Sequence, residues 1–279
     1  MNSKVLSFSV GSRGERDPTE KLRTLFMRDP IERFSDRVDN YAKFRPGYPD
    51  VMLRLLRNIV APPAMVADIG SGTGILTRQL LDRGYELFAV EPNDRMRAEA
   101  ERTLSDHPYF RSVRGTAEAT TLPDRSVDLI ACAQAFHWFD RIRAKLEFCR
   151  ILKGTGSVAI VWNEWLDEAS ELNRKYDEVL RRWAPEYPNV SRRRVGLEDI
   201  RTFFAPGEFH LYTFPNEQSL DREGFLGRLL SSSYVPNVGQ PGHREILDAA
   251  GEVFDEYEVE GKVTLTYETR LYLGRCKIA

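Results

Sequence analysis

The chain has 279 residues, 42% hydrophobic and 29% charged, with 40 Lys and Arg against 42 Asp and Glu. That length fits one elaborated domain better than two full ones, and a net charge of −2 provides no broad positive field for nucleic acid. No apolar run approaches the roughly 18 residues of a membrane span, and the first residues lack the apolar core of a secretory signal. Cys132, Cys149 and Cys276 are too few and too dispersed for a disulfide framework or a metal knuckle. These features set the expectation of a soluble, reduced, cytoplasmic protein with no membrane and no nucleic-acid partner, and they leave its oligomeric state open.

Residues 1–33 are polar and Arg-rich with no sustained period, and read as an N-terminal arm. Phe34, Val38 and Tyr41 recur at helical spacing. That helix must stop at Arg45-Pro46-Gly47-Tyr48-Pro49, because two prolines and a glycine cannot continue it. A second helix over residues 50–60 gathers Met52, Leu55, Leu56 and Ile59 on one face, and Pro62-Pro63 ends it. At Met65-Val66-Ala67 the period changes to a short apolar run, the pattern of a buried parallel strand. Similar runs follow at 87–90, 127–132 and 158–162, separated by helical patterns at 75–83, 95–104 and 141–152. This alternation predicts βαβ units in a doubly wound, parallel α/β sheet covered on both faces. After Trp162 the alternation lapses. Helices are expected at 169–184, 221–231 and 243–256, and strands at 209–214, 263–267 and 271–273. The extra helices cannot all pack against the sheet, so some should cap its carboxyl edge as a lid.

In such sheets ligands bind beyond the carboxyl ends of the strands. The first strand runs into Asp68-Ile69-Gly70-Ser71-Gly72-Thr73-Gly74 and then a helix. Glycines there permit a tight turn and close approach of a ligand to the backbone. The dinucleotide fingerprint would place its third glycine where Ile75 stands, one residue after Gly74, which argues against a pyrophosphate cradle. No Lys-Ser/Thr follows, which excludes a P-loop. The second strand ends at Val90-Glu91-Pro92-Asn93. Glu91 is placed to accept from both hydroxyls of a ribose and to repel a 2′-phosphate; the plain alternative is a solvated charge. His137, just past the fourth strand, is the candidate catalytic base, against the alternative of a loop hydrogen bond. His107, His210 and His243 read as structural. Ser231-Ser232-Ser233-Tyr234 suits either a polar acceptor or a capped helix end. Arg192, Arg193 and Arg194 read as a solvated face that could attract an acidic substrate.

Taken together, the 68–74 turn, Glu91-Pro92-Asn93, Gly115-Thr116-Ala117-Glu118, Leu122-Pro123-Asp124 and Gln134-Ala135-Phe136-His137-Trp138-Phe139-Asp140 closely resemble class I S-adenosylmethionine (SAM)-dependent methyltransferases. The Ala-Phe-His-Trp run and the segment ending at Pro49 are similar to the small-molecule branch, methyltransferase type 11 and trans-aconitate methyltransferase-like. The resemblance implies one methyltransferase domain over 34–279, with a SAM-binding core at 34–164 and late strands and lid insertions at 165–279. It implies a Rossmann-like, mostly parallel seven-stranded sheet with helices on both faces and a helical lid. Asp68, Gly70, Ser71, Gly72 and Gly74 would then hold the methionine part of SAM, with the next helix N-terminus toward its carboxylate and Arg45 paired to that group. Glu91 would take the ribose. Pro92, Asn93 and Met96 would line the adenine, and Thr116, Ala117 and Glu118 would meet its edge. Gln134 and Ala135 would sit beside the methionine chain. A sulfonium methyl donor needs alignment and an aromatic slot. Tyr41, Phe136, Trp138 and Tyr234 are candidate walls, although Phe136 and Phe139 read better as packing. Trp138, Ser233 and Tyr234 are expected on the acceptor side. The implied activity is in-line methyl transfer to a small molecule, at a carboxylate or hydroxyl, without a metal. The competing readings are an NAD-dependent oxidoreductase and a SAM-binding protein without turnover. Amino-methylating nucleic-acid enzymes carry an Asn/Asp-Pro-Pro-aromatic run where this chain has Gln134-Ala135-Phe136-His137.

Overall fold

The computed structural model describes residues 35–187 and 195–277. The arm expected at 1–33, Phe34, and the Arg192, Arg193 and Arg194 run lie outside them. Seven strands form one sheet: β1 (Met65–Ile69), β2 (Glu86–Val90), β3 (Phe110–Val113), β4 (Val127–Ala133), β5 (Leu152–Trp165), β6 (Phe209–Leu220) and β7 (Val263–Gly274). Their order is β3-β2-β1-β4-β5-β7-β6. Strands β1 to β5 are parallel, and β7 runs antiparallel between β5 and β6. The winding therefore reverses between β1 and β4, the switch point where such sheets open a crevice.

Nine described helices complete the chain: α1 (Val38–Phe44), α2 (Asp50–Ile59), α3 (Ile75–Leu81), α4 (Asp94–Leu104), α5 (Arg141–Ile151), α6 (Glu171–Trp183), α7 (Leu197–Phe204), α8 (Arg222–Leu230) and α9 (His243–Tyr257). None among the described residues is long and apolar enough to cross a membrane. Alternate residues of β1 and β4 serve the two faces of the sheet. Val66 and Leu129 pack with Met52, Leu56, Leu80 and Leu104 on one side. Ala67, Ile69 and Ile130 pack with Phe148, Ile151, Phe203 and Phe204 on the other. This two-sided burial explains why those strands read as continuous apolar runs.

β3 and α7 have no counterpart in the sequence reading. β3 is a four-residue strand at the sheet edge whose Phe110 and Val113 are only half-buried. α7 buries Ile200, Phe203 and Phe204 against the lower face. The two expected strands at 263–267 and 271–273 are one. The polar residues between them are accommodated because Thr269 is buried and its hydroxyl donates to Asn163 Oδ1 at 2.6 Å.

β5, β7 and β6 outrun the parallel strands. β4 ends opposite Val161, whereas β5 continues to Trp165, and β7 pairs with β6 down to Val263. On this extension a third core forms, in which Tyr176 and Leu180 of α6, Phe225 and Leu229 of α8 and Ile246 and Phe254 of α9 enclose Leu265 and Tyr267. α1 packs on α8 and α6 on α9. This helical layer at the carboxyl edge is the expected lid.

The cysteine expectation is corrected. Cys149 on α5 and Cys276 just beyond β7 are joined by a disulfide across 127 residues, with Cα atoms 5.7 Å apart. The antiparallel return of β7 carries its end back beside α5, where Cys276 also lies 3.5 Å from the Lys145 carbonyl. Cys132 remains a buried free thiol.

Candidate functional site

Two cavities lie side by side at the switch point, and Tyr41 and Gln134 belong to the walls of both. The first, of about 270 Å³, is built on the turn after β1. Gly70 N and Ser71 N donate to Val90 O at 2.8 and 3.2 Å, and Gly74 N to Ser71 O at 2.9 Å, which ties the turn to β2. Gly70, Gly72 and Gly74 have φ of 70°, 57° and 84°, in the left-handed region that disfavours side chains. Their surroundings differ. A Cβ at Gly70 would lie 2.6 Å from Ala135 Cβ, and one at Gly74 2.7 Å from Leu104 Cδ1. A Cβ at Gly72 would meet nothing within 4 Å. Gly70 and Gly74 therefore permit close packing, whereas Gly72 keeps open the cavity wall to which it belongs.

Asp68 sits beneath this turn, 1% exposed. Its Oδ2 accepts from Thr77 Oγ1 at 2.6 Å, and its Oδ1 has no partner. Burial pushes its carboxyl up to about 7, the Thr77 hydrogen bond opposes that rise, and the charge of Glu91 adds to it. Ser71 Oγ and Thr73 Oγ1 are also buried without partners. Glu91 accepts from Gly72 N at 2.9 Å and from Asn93 N at 2.8 Å. Burial raises its carboxyl too, against those two N–H groups and Arg97. Asn93 caps α4 by accepting from Arg95 N and Met96 N. Glu118 accepts from Asp140 N at 2.8 Å and so braces the loop that enters α5.

Gln134 closes β4 with φ of 57°, a conformation that non-glycine residues adopt rarely and that clusters at functional sites. Its side-chain amide donates to Asn163 O at 3.2 Å.

The second cavity, of about 190 Å³, lies between the sheet and the helical layer. Two arginines line it. Arg45 Nη2 donates to Ser231 O at 3.1 Å and Ser232 Oγ at 3.3 Å, and its guanidinium lies 5.0 Å from the Tyr41 ring centre. Arg228, 6% exposed, donates from Nε to Tyr267 OH at 3.1 Å and from Nη1 to Ser232 Oγ at 3.2 Å. Neither arginine forms an ion pair with a carboxylate among the described residues. Tyr48, Tyr176, Tyr187 and Tyr234 complete an aromatic wall with Trp162 and Trp165.

Most residues expected around a cofactor line the first cavity: Tyr41, Gly70, Gly72, Glu91, Pro92, Asn93, Met96, Thr116, Ala117, Glu118, Gln134 and Ala135. Asp68, Ser71 and Gly74 support the turn and are not on that wall. Arg45, expected at the cofactor carboxylate, is in the second cavity with His137 and Tyr234. Trp138, expected on the acceptor side, lines the first. His137 and Trp138 are adjacent in the 3₁₀ turn Phe136–Trp138, with ring centres 4.7 Å apart, yet they line different cavities. Ser233 lines neither cavity. Its neighbours matter instead: Ser231 ends α8 and donates to Arg228 O at 2.6 Å, and Ser232 Oγ receives both arginines. Phe136 is fully buried among aromatic rings, as expected, whereas Phe139 reaches the first cavity. The sequence reading missed Tyr48, Trp162, Trp165, Tyr176, Tyr187, Arg228 and Tyr267 at the second cavity. For Trp162, Trp165, Tyr176, Tyr187 and Tyr267 the only signal is the density of aromatic residues in the late segments, and Tyr48 and Arg228 carry none.

Comparison with known proteins agrees with this architecture. The family profile described as "Methyltransferase domain" matches residues 67–160. An uncharacterized methyltransferase of Mycobacterium tuberculosis is 36% identical over 181 residues, which cover 62% of this chain and 72% of that protein. An uncharacterized methyltransferase-like protein of Schizosaccharomyces pombe is 25% identical over 254 residues, 87% of this chain and 94% of its own length. A solved chain from Anaeromyxobacter dehalogenans, named as a candidate type II methyltransferase, superposes with a TM-score of 0.63 at 26% identity, covering 85% of this chain and all of its own. With the β1 turn, Glu91 and the sheet order in place, these likenesses decide the matter: the chain belongs to the methyltransferase family and has the class I, Rossmann-like fold.

Proposed function

We propose that the first cavity holds SAM, the second holds a small-molecule acceptor, and methyl transfer occurs where they meet, between Tyr41 and Gln134. The observation that carries this reading is the pair of adjoining cavities whose walls share these two residues. The residues present suit the cofactor. Asp68 Oδ1 is a carboxylate oxygen without a partner, suited to an ammonium group. Gly72 leaves the cradle unfilled. Each Glu91 oxygen accepts one backbone N–H and retains capacity for a ribose hydroxyl. Pro92, Met96, Ala117 and Ala135 offer an apolar slot for a purine.

When bound, SAM supplies an electrophilic methyl group on a sulfonium. The chain's own work is then positioning, the largest available contribution to such a displacement. Tyr41 and Gln134 frame the line of transfer, and the left-handed backbone at Gln134 aims that residue from the end of β4. His137, in the wall of the acceptor cavity only, is placed to accept the proton that a hydroxyl acceptor releases. A carboxylate acceptor requires no base. A cavity of about 190 Å³ favours a small molecule over a macromolecule.

The test is calorimetric titration with S-adenosylhomocysteine, followed by transfer of labelled methyl groups to a panel of small acceptors. Binding should raise the melting temperature, NAD should not, and Glu91→Ala should abolish the effect. A melting temperature unmoved by S-adenosylhomocysteine overturns the cofactor assignment, and bound cofactor without transfer to any acceptor leaves a binding protein.

A further inference from the structure

Three buried polar atoms of the residues lining the second cavity have no partner: Arg45 Nε, Trp165 Nε1 and Tyr176 OH. Arg and Trp nitrogens can only donate, and burial keeps the Tyr176 phenol protonated. Arg45 and Arg228 bring two positive charges to the same wall. Their hydrogen bonds converge on one oxygen, Ser232 Oγ, which holds the guanidiniums side by side. Burial and the charge of Arg228 both disfavour the charge on Arg45, while neighbouring tyrosine oxygens favour the charge on both guanidiniums. Buried charges without counter-charges are strongly unfavourable, so this wall is complementary to an incoming anion.

The rest of the cavity limits what that anion carries. A single carboxylate offers roughly four acceptor sites, enough to engage both guanidiniums and the Tyr176 and Trp165 donors. Glu164 is the one carboxylate lining this cavity among the described residues. Glu164 lies in the field of Arg270 and favours the charge of that guanidinium. It would repel a second acidic group. Tyr48, Trp162, Ile75 and Leu180 add flat and apolar surface, beside the polar Gln134, His137 and Asn163. A volume of about 190 Å³, the share of roughly six water molecules, holds one ring with its substituent.

From this geometry we infer that the methyl acceptor is a monocarboxylic acid with a flat, apolar body, its carboxylate clamped between Arg45 and Arg228. The inference rests on the second cavity being the acceptor site. Arg45 and Arg228 are on this reading specificity-determining residues.

The test is calorimetric titration of the full chain, saturated with S-adenosylhomocysteine, with benzoate, trans-cinnamate, benzamide, benzylamine and citrate. At least one of the two acids should bind tenfold or more tightly than the amide, the amine and the tricarboxylate. Arg228→Met should weaken that acid at least tenfold and leave S-adenosylhomocysteine affinity unchanged. Because Arg228 also supports Tyr267, Tyr176→Phe provides an independent check. It removes a hydroxyl that bonds to nothing in the protein, so the melting temperature should hold while acid affinity falls about threefold. Absence of acid binding, equal binding of benzamide, preference for benzylamine or tighter binding of citrate would each overturn the proposal, as would Tyr176→Phe and Arg228→Met that both bind the acid normally. Failure of S-adenosylhomocysteine to bind refutes the cofactor reading separately, and the acid titration on the cofactor-free chain then decides this one.

Discussion

Replacing Asp68 by Asn should stabilise the cofactor-free protein at pH 8 and weaken its hold on the cofactor. Asp68 is buried, Oδ2 bonds Thr77, Oδ1 bonds nothing, and the carboxyl is pushed from 3.8 up to about 7. The folded protein thus holds a proton that the unfolded chain releases near pH 4. Across the window from about pH 4 to 7 the folded state binds more protons, so this residue makes stability fall as pH rises and level off above pH 7. At about 1.4 kcal/mol per pH unit over roughly three units, the ceiling on that loss is about 4 kcal/mol. Asn can still accept from Thr77, but its amide N–H₂ takes the unpartnered place at a cost of about 1–2 kcal/mol. The net gain at pH 8 is about 2 kcal/mol, or about 5 °C in melting temperature for a chain of this size. Thermal unfolding at pH 4, 5.5, 7 and 8 measures it, and the wild-type slope should flatten in the variant. S-adenosylhomocysteine affinity at pH 8 should fall at least tenfold, because the ammonium loses its carboxylate. An Asn variant that melts lower at pH 8, or keeps the wild-type slope, would refute the reasoning.

Glu91→Gln places an amide N–H₂ against one of two backbone donors, Gly72 N or Asn93 N, and S-adenosylhomocysteine affinity by calorimetry should drop at least tenfold. The two turn glycines should separate stability from binding. Gly70→Ala meets Ala135 at 2.6 Å and should cost about 3 kcal/mol in denaturant unfolding. Gly72→Ala should cost only about 1 kcal/mol for its backbone conformation and lose cofactor affinity by a larger factor; the opposite ranking would show that Gly72 does not face the ligand. His137→Ala should leave cofactor affinity within about twofold and lower turnover of a hydroxyl acceptor by about a hundredfold, and unchanged turnover would remove His137 from the reaction.

The first cavity was legible in the sequence because its parts are local. A turn of three glycines, an acid at the end of the next strand and a capped helix start each depend on a few consecutive residues whose backbone is directed by short-range sterics and hydrogen bonds. The cavity therefore follows once the parallel sheet is inferred from apolar runs. Arg45 shows the limit of that logic. The resemblance implies a place for it at the cofactor carboxylate, yet its guanidinium turns to Ser231 and Ser232, some 186 residues onward. The disulfide is a like case, because only the antiparallel return of β7 sets Cys276 beside Cys149.

By itself the sequence determined the sheet class, the switch point and the residues around the β1 turn. The second cavity was decided only by tertiary structure. Its arginines come from α8 and the end of α1, its tyrosines from four separate segments, and none of these forms a pattern along the chain. They meet because β5, β7 and β6 outrun the parallel strands and give the late helices an apolar surface to cover. Burial of that surface, and not any local preference, places Arg45 and Arg228 side by side in the wall of the second cavity.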